Sequence, residues 1–129
     1  DNGLIVPIVH DADKTALTQI ARTSKELADK ARLGKLTIED VSNGTFTISN
    51  LGMFAIDSFN PLINPPQIGI LGVGRIVKKP TVIGDQILVR SLMSLSLTFD
   101  HRVTDGAEAA KFLGRIKNLL EHSFHLLEN

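Results

Sequence analysis

The chain has no cysteine, no tryptophan and no tyrosine among its 129 residues. Without cysteine there can be no disulfide, no thiolate metal site and no cysteine nucleophile. The six aromatic residues are all Phe, so there is no Tyr or Trp to stack on bases. Charge excess is missing too, because 14 Lys plus Arg balance 14 Asp plus Glu. Such a chain has no net field to attract nucleic acid or an anionic membrane, and neither is expected as a partner. No apolar run nears the roughly 20 residues of a membrane span, and the first residues carry no signal-peptide pattern. Repeats and low-complexity segments are also lacking. With 43% hydrophobic residues, what remains is one globular domain of modest core.

Hydrophobic spacing sets out its elements. Leu4 to Val9 is a short apolar run of strand length, with Pro7 marking an edge or an irregular strand. Asp11 to Lys14 reads as a turn, with Asp13 or Thr15 expected as N-cap. From Ala16 to Leu33, Leu17, Ile20, Ala21, Leu27, Ala28 and Ala31 recur at helical spacing, and Gly34 stops the helix. Thr37 to Asn43 is a polar connector with at most one helical turn. Thr45 to Ser49 alternates as a strand, and Gly52 to Phe59 reads as a loop. Further strands are expected at Leu62-Ile63 and Ile68 to Val73, around the Asn64-Pro65-Pro66 break. Gly84-Asp85 closes a hairpin between Ile76 to Ile83 and the residues from Gln86. The second arm is expected to run unbroken to Phe99, with Leu95, Leu97 and Phe99 on one face. A last helix spans Ala107 to Glu121 with Ala109, Phe112, Leu113, Ile116, Leu119 and Leu120 inward. The order β-α-β-β-β-β-α implies an α+β fold, a sheet with helices packed on one side.

Two places carry candidate chemistry. His101 leaves the long strand on its apolar side, just before Asp105-Gly106 opens the final helix. Strand ends and helix starts hold a side chain rigidly beside open space, and an unperturbed imidazole, with a pKa near ~6.5, exchanges protons near neutrality. Read alone, a histidine there is more often a buried structural residue. Asp105 to Glu108 also fits a capping box, a role compatible with any other. Ser49 closes its strand before Asn50-Leu51-Gly52, a pattern that by itself is turn chemistry. Three weaker signals are set aside. Gly72-Val73-Gly74 lacks the rest of a dinucleotide fingerprint. His122 and His125 have no acidic or thiol partner nearby, so no metal is expected. The charges of the first helix read as its solvated face.

The spacing Asp100-His101-Arg102-x-x-Asp105-Gly106 resembles the signature of the catalytic domain of E2 components of 2-oxo acid dehydrogenase complexes, the dihydrolipoyl acyltransferases. Related chloramphenicol acetyltransferases carry His-His where this chain has Asp100-His101. Gly44 to Gly52 resembles the segment that bears the oxyanion-stabilising serine of that family. Phe59 to Gly74 resembles the proline-rich and then apolar segment that follows.

The resemblance implies a chloramphenicol acetyltransferase-like mixed β-sheet and acyl transfer between dihydrolipoamide and coenzyme A. His101 would be the general base toward the attacking thiol, and Ser49 the donor to the oxyanion. Asp105 would hold the histidine loop, with Asn50 and Arg102 as supporting residues. The family further implies a homotrimer building a larger core, with histidine and serine supplied by neighbouring subunits. Coenzyme A would be a substrate, and the lipoyl group would arrive on a lipoyl domain not in this chain. E1 and E3 components would bind through other missing domains. The expected compartment is cytoplasmic, or the mitochondrial matrix in a eukaryote. The Asn50 to Phe54 run is nearer to acetyl-transferring members, such as those of pyruvate dehydrogenase. Residues 1–129 are expected to be the C-terminal half of the catalytic domain, and little activity is expected of that half alone. The alternative within the same complexes is a non-catalytic structural or E3-binding core subunit, against which the histidine motif argues. A serine hydrolase using Ser49, His101 and Asp105 ranks lower, since Gly-x-Ser-x-Gly is missing.

Overall fold

The structure, a computed structural model, describes residues 3–123. The chain divides into two compact units, one made of the residues up to Gly44 with those from Gly114 onward, the other of Thr45–Leu113.

In the first unit, α1 (Leu17–Arg32) forms where the apolar stripe predicts, with Leu27 buried. Its N-cap is Ala16 rather than Asp13 or Thr15. Asp11 and Thr15 instead serve the preceding turn, the Thr15 hydroxyl donating to the Asp11 carbonyl at 2.8 Å. At the other end Gly34 and Lys35 N–H groups return to Ala31 and Lys30 carbonyls at 3.1 and 2.8 Å, closing the helix as a Schellman motif does. The connector contains one short turn, Glu39–Val41. Asp40 is its anchor. Its carboxylate accepts the Thr37 N–H at 2.9 Å and Lys30 Nζ at 3.2 Å, and these contacts, the Thr37 N–H foremost, lower its pKa. The expected strand at Leu4 to Val9 does not form. The segment is tied through the Ile8 N–H to the Asp40 carbonyl at 2.8 Å, but Pro7 has no N–H with which to extend a ladder.

The second unit holds two sheets. β1 (Thr47–Asn50) pairs in parallel with β2 (Gly69–Val73), and β2 pairs antiparallel with β5 (Leu95–Phe99), giving the order β1-β2-β5. β3 (Val77–Ile83) and β4 (Gln86–Leu92) form a separate hairpin. Its two-residue turn has Gly84 at φ 59°, as a turn with glycine in the first central position requires. The sheet is therefore mixed, as the α+β reading implies. The single strand expected from Gln86 to Phe99 is broken at Met93-Ser94. β2, the partner of β5, ends at Val73, and β4 takes β3 as its partner instead. No strand forms at Leu62-Ile63, where Pro61, Pro65 and Pro66 deny the backbone donors that a ladder needs. Within the expected loop, Gly52–Phe54 forms one tight turn.

β2 is the centre of this unit, with Ile70 and Leu71 each only 6% exposed. Its neighbour Thr47 is buried and satisfied, its hydroxyl donating to Gln67 Oε1 at 2.5 Å. The helix α2 (Gly106–Glu121) starts one residue earlier than expected. Ala109 is buried, whereas Phe112 and Leu120, expected inward, are about half exposed. Phe112 nonetheless meets Phe46 edge-on, ring centroids 5.8 Å apart.

Candidate active site

Strand register fixes where the candidate residues lie. Ser49 is opposite Gly72 on β2, and Gly72 is opposite Ser96 on β5. Paired residues share a sheet face and alternate along a strand, so Ser49, Gly72 and Ser96 form one row on one face. A Cβ at Gly72 would lie 2.6 Å from Ser96 Oγ and 3.1 Å from the Phe59 ring. That close approach requires glycine between the two serines. The Ser96 hydroxyl is committed to the Phe59 carbonyl, whereas the half-buried Ser49 hydroxyl has no hydrogen-bond partner among the described residues.

The opposite face carries Phe46, Gly69 and Phe99 in a row. A Cβ at Gly69 would lie 2.9 Å from the Phe46 ring. His101 continues from this side, its ring 5.4 Å from that of Phe99. It is exposed, in the turn after β5, and neither ring nitrogen bonds a protein group among the described residues.

Asp100 builds that turn. Its N–H bonds the Ile68 carbonyl at 2.8 Å, extending the sheet, and its carbonyl accepts the Val103 N–H at 3.0 Å. Its carboxylate accepts the Arg102 N–H and Nε, each at 2.9 Å, and Nη2 at 2.6 Å. The Arg102 guanidinium first, and then the Arg102 N–H, hold the Asp100 carboxyl down to about 2. At the helix start, Asp105 Oδ1 accepts the Glu108 N–H at 2.9 Å. The expected cap is present, but its reciprocal half is not, because Glu108 turns to Lys111 Nζ at 2.7 Å. On the serine side, Asn50 Oδ1 accepts the Gly52 N–H at 2.9 Å, turning the chain directly after the strand.

The structure thus gathers His101, Arg102 and Asp105 in one turn, and Ser49 and Asn50 at another place. Ser96 is level with Ser49, and His101 lies five residues beyond Ser96. At ~3.3 Å per residue that is about 16 Å along the sheet, with two strand spacings across it. The two side chains also belong to opposite faces.

In the sequence Asp100 serves only to distinguish families, and its role in building the turn is seen first in the structure. The signal was present as Asp-x-Arg, an acidic side chain two residues before a donor N–H. Among the described residues no group of three His, Asp or Glu side chains could hold a metal ion. His122 bonds the Asn118 carbonyl at 3.0 Å, and His125 lies outside the described residues. No helix among them is long and apolar enough to cross a membrane.

A mixed sheet presenting an Asp-His-Arg turn and a separate strand-end serine is the pattern of a chloramphenicol acetyltransferase-like acyltransferase core. Residues 1–128 match the family of 2-oxoacid dehydrogenase acyltransferase catalytic domains, and the chain belongs to that family. It is 46% identical over 129 residues to the dihydrolipoyllysine-residue succinyltransferase component of the 2-oxoglutarate dehydrogenase complex of Rickettsia typhi, covering 100% of this chain and 32% of that protein. It superposes on the dihydrolipoamide acetyltransferase of Azotobacter vinelandii with a TM-score of 0.92 at 38% identity, covering 97% of this chain and 51% of that one. That structure addresses the role of a serine, a histidine and an asparagine in the catalytic mechanism. The cubic core of the pyruvate dehydrogenase multienzyme complex is equally similar, with a TM-score of 0.92 at 39% identity and the same coverage. The chain therefore spans about a third of that curated relative and about half of these solved chains.

Proposed function

We propose that the chain is the C-terminal half of an acyltransferase catalytic domain that moves an acyl group between dihydrolipoamide and coenzyme A. The observation that carries this reading is a coincidence of spacing. Ser49 and His101 stand the same number of positions apart as the serine and histidine studied in the Azotobacter enzyme. Asp105 follows His101 at the interval at which the asparagine follows that histidine.

His101, exposed and with both ring nitrogens unengaged among the described residues, takes the proton of the attacking thiol. The sulfur then adds to the thioester carbonyl, and charge collects on its oxygen. The Ser49 hydroxyl donates to that oxygen, which lowers the barrier because the donor is aimed where charge develops. Collapse of the intermediate expels the other sulfur as a thiolate, which recovers the proton from His101. Ser49 forms no covalent bond. Asp105 fixes the start of α2, and Asp100 with Arg102 fixes the turn.

The separation of Ser49 from His101 within one chain supports a site completed between neighbouring copies, as in a trimer. The likeness to a cubic multienzyme core supports a larger assembly built from such trimers. The lipoyl group would arrive on a lipoyl domain, and E1 and E3 components would dock through other domains. The compartment would be the cytoplasm or, in a eukaryote, the mitochondrial matrix. The deciding experiment assays thioester exchange and ester hydrolysis on one preparation of the complete protein. Exchange without hydrolysis is expected. An intact assembly lacking both would mark a structural subunit, and hydrolysis through an acylated Ser49 would mark a hydrolase.

A further inference from the structure

Ser49 lies on a strand of four residues that has a single neighbour in the sheet among the described residues, so β2 and the loop beyond Asn50 must set its position. That loop is closed against the exit of β2. The Leu51 N–H bonds the Val73 carbonyl at 3.1 Å, and the Arg75 N–H bonds the Ile56 carbonyl at 2.8 Å. The backbones interlock at this point. A Cβ at Gly74 would lie 2.0 Å from the Asp57 carbonyl oxygen, and one at Gly52 would lie 2.9 Å from the Gly74 carbonyl oxygen.

One charged side-chain pair spans the closure among the described residues. Arg75 Nε and Nη2 reach the two Asp57 carboxylate oxygens at 2.5 and 3.3 Å. A two-point guanidinium–carboxylate contact fixes orientation as well as distance, which a lysine cannot reproduce. Asp57 and Arg75 are both partly exposed, so the pair does not serve to fill a core.

We propose that Arg75 is a positioning residue for Ser49, acting through Asp57 to hold the loop and hence the end of β1 in register. The inference rests on the oxyanion role proposed for Ser49. Loosening the latch lets the hydroxyl drift from the place where charge develops, while substrate binding is unchanged. Small displacements of a catalytic group carry large rate penalties.

The test is a double-mutant cycle on the complete, assembled protein, reading kcat and KM for acyl transfer. Arg75→Gln and Asp57→Asn are each expected to lower kcat about tenfold with KM unchanged. Arg75→Lys should recover only part of the loss. In a Ser49→Ala background, Arg75→Gln should cost nothing further, because the group it positions is gone. An additive loss in that background, a silent Arg75→Gln, or a change confined to melting temperature overturns the proposal. A silent Ser49→Ala removes the oxyanion reading itself, and the latch with it, so the two failures are distinguishable.

Discussion

Arg102 closes back on Asp100 across the histidine between them, its Nη2 2.6 Å from Oδ2 and its Nε 2.9 Å from Oδ1. The peptide N–H of Arg102 adds a third contact to the same carboxylate at 2.9 Å. His101 thus projects from a turn whose two flanking residues are bound to each other, which limits the orientations its backbone can take.

This pairing has a pH signature. The Asp100 carboxyl titrates at about 2 in the folded chain, below its ordinary 3.8. Unfolding therefore takes up a proton between those values, and the stabilisation is complete above the upper one and lost as pH falls through the lower one. The melting-temperature gap between the parent protein and Asp100→Asn should be constant above about pH 4 and close on descent to about pH 2. A gap that persists undiminished at the acid end would remove this assignment.

His101→Ala should lower acyl transfer by about 10²–10⁴-fold, the range of a lost general base. The side chain is exposed, so melting should scarcely move. Turnover near the parent rate would end the role proposed for it.

Ser49→Ala should cost about 10²–10³-fold in kcat with KM nearly constant, as loss of one oxyanion donor does. If the site forms between copies, co-assembling the Ser49→Ala and His101→Ala proteins should restore activity to about a quarter of the sites. Co-assembled oligomers that contain both variants and remain inactive would favour a site within one chain.

Asp105→Ala removes the cap on α2 and should destabilise by about 1 kcal/mol, whereas Asp105→Asn should keep most of the capping. If the asparagine variant transfers acyl groups as the parent does, the residue acts by capping and geometry. A large rate loss with Asn would point to a need for the negative charge.

Much of this was legible in the chain. The stripe of α1, the hairpin at Gly84-Asp85 and the cap at Asp105 follow from periodicity and turn chemistry, whereas Ser49 and His101 stand out only through the family resemblance. The break at Met93-Ser94 does not. Ile87, Val89, Met93, Leu95, Leu97 and Phe99 keep one alternating face apolar through it, interrupted only by Ser91, with no Gly or Pro to mark a change of partner. The strand at Leu4 to Val9 failed for the converse reason, since its apolar pattern is sound but a ladder needs a neighbour with matching backbone groups. The Asp57–Arg75 latch left no trace at all, being a contact between two loops far apart in sequence.

The central placement of β2 also governs how the unit comes apart. Its backbone is bonded on both sides, whereas the β3–β4 hairpin has no third strand among the described residues, and a two-stranded ribbon is marginal by itself. Solvent deuterium should therefore reach the hairpin amides first, through brief local openings, and those of Ile70 and Leu71 last. Because Ser49 and the turn carrying His101 both hang from β2, the hairpin can open and reclose many times without disturbing either.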